Sequence, residues 1–193
     1  MDTNTHNIYL FKALDAYPFA LEEAIEALNY ALSYDEKNVQ ALCLMANLQA
    51  DQLNDFEAAK HYFEAAVASK MELPRIYPDY VYTLIRNEDF DEAQKVLDYA
   101  LLLKGADKAL LNLLQGQLFE AQKRNKKALK AYKRGLKLGL NNHFITFAES
   151  AIERVKKKLP KKRKPKKDTS GRAEAAELYT VKEKDMKKNS KGE

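Results

Sequence analysis

Phe90-Asp-Glu-Ala93-Gln-Lys-Val-Leu97-Asp-Tyr-Ala100 decides the fold, because three other stretches of the chain repeat its pattern. The equivalents of its opening are Leu21-Glu-Glu-Ala24, Phe56-Glu-Ala-Ala59 and Asn125-Lys-Lys-Ala128, whose alanines stand 35, 34 and 35 residues apart. Four residues after each alanine comes a large side chain (Leu28, Phe63, Leu97, Tyr132), and three further a small one (Ala31, Ala66, Ala100, Gly135). Small, large and small at i, i+4 and i+7 share one helical face. The small residues admit a neighbouring helix and the large one fills the groove between the two. A period of this length marks a supersecondary unit that buries its apolar face only by stacking on its neighbours.

Upstream of each such helix lies another apolar-periodic stretch: Ile8 to Ala16, Val39 to Leu53, Tyr77 to Ile85 and Leu110 to Ala121. Links as short as Asn54-Asp55 and Arg86-Asn87-Glu88-Asp89 suit antiparallel helical hairpins. Proline falls at expected helix starts: Pro18 is expected to open the second helix, and Pro74 and Pro78 to flank the start of the fifth. After the fourth unit, Asn142 is the expected cap of a final helix running through Phe144, Phe147, Ala148, Ala151, Ile152 and Val155, which would cover the end of the stack.

These residues resemble the tetratricopeptide repeat family, whose unit of about 34 residues is a helix-turn-helix carrying such alanines and aromatics. The third unit matches through Tyr77, Tyr80, Leu84, Phe90, Ala93, Leu97 and Ala100, and the fourth through Gly116, Phe119, Ala128, Tyr132 and Gly135. The second needs one extra residue in its inter-helix turn. The first lacks the family's small residue in its opening helix and carries Lys12 near that place. The resemblance implies an all-α fold: a right-handed superhelical solenoid of about four helical hairpins with a capping helix over residues 5–157. A Lys-rich, mostly disordered tail is expected over 158–193.

The resemblance further implies a concave groove lined by the first helix of each hairpin, in which a peptide or helix of a partner protein lies. Its inward residues would be Tyr9, Asn47, Asp51, Tyr82, Arg86, Gln117 and Glu120, with Glu149 on the capping helix. Tyrosine and arginine suit such a role because each offers a large contact area with a polar tip. The family's clamp for chaperone carboxyl termini is not expected, since Tyr9, Ala13, Leu44 and Tyr82 replace its basic and amide donors.

Charge is segregated along the 193 residues. Residues 1–122 carry net −11 and residues 123–167 net +16, so the formal total of +5 hides an acidic stack with a basic end. One basic cluster runs over Lys123–Lys137 and includes Lys126, Lys127 and Lys130. The other holds Lys156, Lys157, Lys158, Lys161, Lys162, Arg163, Lys164, Lys166 and Lys167, and is expected to be extended because Pro160 and Pro165 interrupt it. Such density attracts RNA, DNA or another polyanion through counterion release, but no aromatic is interleaved to stack on bases. Residues 172–184 have weak helical character.

No chemistry of an enzyme is visible. The chain has no glycine-rich phosphate loop after a strand. His6, His61 and His143 lie in different units without ligand spacing, and lone Cys43 sits on an apolar helix as a small hydrophobe. Neither cofactor nor metal is expected. A polar amino-terminal segment, a single cysteine and apolar runs too short to span a bilayer fit a cytoplasmic protein. The leading expectation is a non-enzymatic protein–protein adaptor or scaffold with a second electrostatic contact at its basic tail; the alternative is a ribosome- or nucleic-acid-associated factor docking through that end.

Overall fold

The computed structural model describes residues 3–160, and of residues 3–7 only the backbone. They form α1 (Thr3–Ala16), α2 (Leu21–Tyr34), α3 (Val39–Leu48), α4 (Phe56–Ser69), α5 (Tyr77–Arg86), α6 (Phe90–Leu102), α7 (Lys108–Ala121), α8 (Asn125–Leu138) and α9 (Asn142–Lys158), with no strand among the described residues. Helices pair as hairpins, α1 with α2, α3 with α4, α5 with α6 and α7 with α8. Each second helix then packs on the next first helix, and α9 closes the series against α8. This is an all-α solenoid.

The repeated positions are the core. Ala24, Ala59, Ala93 and Ala128, the large residues Leu28, Phe63, Leu97 and Tyr132, and Ala31, Ala66 and Ala100 are all without exposed surface. Each large side chain contributes roughly 1.5–3 kcal/mol by leaving water, and only small neighbours let the helices come close enough to enclose it. Gly116 is the extreme case: a Cβ there would lie 2.4 Å from the Tyr132 ring.

Several local expectations are corrected. Pro18 does not open α2. Residues 17–20 form a turn in which the Phe19 and Ala20 amides both donate to the Ala16 carbonyl (2.9 and 2.7 Å), and α2 starts at Leu21. The extra residue of the second unit does not lengthen its turn; it is absorbed as a wider π-helical turn, Gln49–Leu53, continuing α3. The small-residue place of the opening helix does hold Lys12, and the next residue, Ala13, is buried in the cluster of Ala24, Ala27 and Leu28 instead. Asn141 rather than Asn142 caps α9, accepting from the His143 amide at 2.7 Å. Lys156, Lys157 and Lys158 are not extended: they form the last turn of α9, where cations complement the helix dipole. The expected tail from Lys161 onward, including the segment 172–184, lies outside the described residues.

The three later hairpin turns share one device. Asn54, Glu88 and Lys123 each adopt a left-handed backbone conformation (φ 55°, 63° and 60°). The Asp89 amide then donates back to the Leu84 carbonyl at 2.9 Å and the Arg124 amide to the Phe119 carbonyl at 2.8 Å, satisfying carbonyls at the helix ends. Glycine would adopt this conformation without a Cβ penalty. Lys123→Gly is therefore expected to raise stability by roughly 0.5–1 kcal/mol, whereas Gly116→Ala, seven positions earlier, lowers it by about 1–3 kcal/mol through the clash with Tyr132. Denaturant unfolding of the two variants checks both signs.

Candidate interaction groove and basic face

The first helices of the second and third hairpins are bridged side by side. Asn47 Nδ2 on α3 donates to Asp79 Oδ2 on α5 at 3.4 Å. Arg86, at the end of α5, forms an ion pair with Asp51 and donates to Asn54 Oδ1 at 3.5 Å. Its guanidinium also lies 4.8 Å from the centre of the Phe56 ring and 5.6 Å from that of Tyr82. Arg86 is thus held from four directions, while the Tyr82 ring beside it is 45% exposed. Asn47, Asp51, Tyr82 and Arg86 form one contiguous polar–aromatic surface. The π-helical turn carries Asp51 and leads into Asn54, two of the residues that hold Arg86.

The other expected groove residues are placed differently. Tyr9 stacks on Tyr30 and Tyr34 of α2 (centroids 5.1 and 5.9 Å apart), so its partly buried ring belongs to an aromatic cluster of the first hairpin rather than to the α3–α5 surface. Gln117 on α7 has a buried Oε1 that accepts no hydrogen bond among the described residues. Glu149 is exposed on α9. Glu120 is spent within the fold: it accepts from Tyr132 Oη at 2.8 Å, from Arg154 through Nε and Nη2 at 2.9 Å each, and from Lys158 Nζ at 2.7 Å. This carboxylate pins α9 onto α7 and α8, alongside the buried Ala148, Ala151, Ile152 and Val155.

Of the expected polyanion-binding lysines, Lys126, Lys127 and Lys130 are exposed on α8, with Lys127 Nζ 5.8 Å from the Phe119 ring centre. Lys156 pairs with Glu153 at 2.5 Å and Lys158 with Glu120, while Lys157 of that turn forms no ion pair among the described residues. Lys161, Lys162, Arg163, Lys164, Lys166 and Lys167 lie outside the described residues. Cys43 is partly buried against the core, and burial, helped by Asp79, pushes its thiol up to about 11, which keeps it protonated and unreactive at neutral pH.

Sequence reasoning missed a cleft of about 560 Å³ beside the first hairpin, lined by Tyr9, Lys12, Asp15, Phe19, Glu23 and Tyr30 among others. The signal available was Phe19, a large aromatic that falls at none of the repeated core positions.

The bonds from Arg154 first, then from Lys158 and Tyr132, hold the Glu120 carboxyl down to about 2, from an ordinary value of 4.5. A depressed carboxyl stabilises the fold above its unfolded pKa, and that contribution disappears as pH falls from about 4.5 to about 2. With its two cationic partners half exposed, the contribution at neutral pH is about 2 kcal/mol. Glu120→Gln is expected to lose about that much at pH 7 and to converge on the parent protein at the acid end of the window. Unfolding measured across pH checks it; an equal difference at every pH contradicts it.

No family model matches the chain, and no curated protein matches it. Among solved structures it resembles PilF of Pseudomonas aeruginosa (TM-score 0.69, 18% identity, 79% of this chain and 68% of that one). It resembles PilW, described as a widely conserved type IV pilus biogenesis factor (TM-score 0.66, 18% identity, 82% and 81%). It is also similar to MamA from Desulfovibrio magneticus RS-1 (TM-score 0.62, 14% identity, 80% and 94%). These are tetratricopeptide repeat proteins, and identity this low speaks for architecture alone. With the buried repeat positions and the paired helices, the conclusion is that the chain has a tetratricopeptide-repeat-like fold.

Proposed function

We propose that the protein is a non-enzymatic interaction scaffold that holds a peptide or helix of a partner protein against the row formed by α3 and α5. The observation that carries this reading is Tyr82: an aromatic ring left 45% exposed on a first helix, next to an arginine already fixed by Asp51, Asn54 and Phe56. Ordering side chains on binding costs free energy, so a surface whose cation is positioned beforehand loses less when a ligand arrives. Asn47 and Asp51 supply hydrogen-bonding groups on the α3 side. Among the described residues no cluster of three or more His, Cys, Asp or Glu side chains is disposed to hold a metal ion, and Lys60, Tyr80, Glu120, Tyr132 and Arg154 are tied into helix–helix contacts.

Affinity capture from the source cells tests the proposal, with the parent chain and Tyr82→Ala as baits and the bound protein quantified. An exposed aromatic anchor is worth roughly 1–3 kcal/mol to binding, so Tyr82→Ala is expected to weaken retention of the main partner about fivefold or more, at high salt as well as low. Retention unchanged in Tyr82→Ala, or abolished for both baits by salt alone, overturns the groove reading.

A further inference from the structure

All the charged side chains of α8 are basic. Lys126, Lys130, Lys133 and Lys137, at i, i+4, i+7 and i+11, form one line along its solvent face, roughly 16 Å long at 1.5 Å per residue. Lys127 and Arg134 flank it. All six are exposed, and none forms an ion pair among the described residues, which hold no carboxylate on this helix.

Where that line ends, the surface turns apolar. The link from α8 to α9 presents Leu140 98% exposed, with Leu138 and, from α9, Phe147 about half exposed. With Leu110, Leu113 and Phe144 these side chains line an open depression of about 620 Å³. The equivalent link one unit earlier repeats the combination: Leu102 is 83% exposed and Lys104 stands beside it. Equivalent links of a stacked repeat fall on one edge of the solenoid. That edge therefore offers exposed aliphatic tips at two links, with Lys137 next to Leu138 at one and Lys104 close after Leu102 at the other.

The two features make different demands. A phosphodiester backbone would satisfy the lysines but provides no apolar medium for Leu138 and Leu140. An anionic bilayer provides both, headgroup charge for the lysines and the acyl boundary for the leucines. We propose that the lysine face of α8, with the Leu138–Leu140 link at its end, docks on an anionic lipid surface. This contact is independent of the row formed by α3 and α5, so either proposal stands or falls without the other.

Flotation of the full chain with vesicles tests it, using phosphatidylcholine alone and phosphatidylcholine mixed with phosphatidylserine. Binding is expected only to the mixed vesicles. Replacing three surface lysines together (Lys126→Gln, Lys130→Gln, Lys133→Gln) is expected to lower partitioning on the order of 100-fold, and Leu138→Ser with Leu140→Ser at least about tenfold. All five positions are exposed, and unchanged circular dichroism verifies that the variants fold. Failure to float with the mixed vesicles overturns the proposal. So does flotation indifferent to the leucine pair, or unaltered in the lysine variant, which would place the attachment at residues 161–167. A duplex RNA shift run in parallel separates the remaining class: RNA that strips the protein from vesicles and binds the leucine variant as well as the parent also overturns it.

Discussion

Two helices can lie close together only where their facing side chains are small, and the whole stack depends on that steric allowance. Ala24, Ala59, Ala93 and Ala128 grant it on the second helix of each hairpin, and Gly116 grants it on the first helix of the fourth. The enclosed volume is then filled by one large residue per unit, Leu28, Phe63, Leu97 or Tyr132, none of which retains exposed surface. A hairpin alone cannot bury such a residue from all sides. The neighbouring hairpin must supply the missing wall, so stability belongs to the interfaces between units as much as to the units.

Because packing is settled by so few positions, the outward rows of each helix are free to carry charge and chemistry. On the α3–α5 side that freedom is used to immobilise Arg86 beside an exposed Tyr82. At the far end it is used to close the stack. Tyr132, the large residue of the fourth unit, also donates its hydroxyl to Glu120, and the same carboxylate takes up Arg154 and Lys158 from α9. Core filling and end capping thus converge on one tyrosine–carboxylate pair. On α8 no carboxylate among the described residues pairs with the lysines, and the outer face is strongly positive.

The repeat was legible because its core positions recur at a fixed interval, and periodicity survives without knowledge of partners. Features that depend on a single local energy balance were not. The one surplus residue of the second unit had to go somewhere, and whether it lengthened the turn or widened the helix at Gln49–Leu53 depended on backbone hydrogen bonding. Pro18 looked like a helix start by residue type, yet the Ala16 carbonyl captured the amides that follow it and delayed α2 to Leu21. Of the expected groove residues, those on α3 and α5 do come together, because their spacing within neighbouring units is regular. Glu120 is taken up by Arg154 and Lys158, and Tyr9 joins Tyr30 and Tyr34 at the edge of a separate cleft. Glu120 and Arg154 do stand one repeat apart, at 34 residues, but the residue types at those places do not recur in the earlier units, so periodicity alone did not announce the pairing.

The account rests on interdependence between hairpins, which native-state hydrogen exchange of Ala93→Leu measures directly. Ala93 belongs to the core cluster that spans α3 to α7. Crowding at this position is expected to lower amide protection in α5 and α6 and, by the loss of a shared wall, in α4 and α7 as well, with α1 and α2 least affected. Protection lost from α6 alone, with its neighbours as slow to exchange as before, would mean that each hairpin stands by itself and would contradict the account.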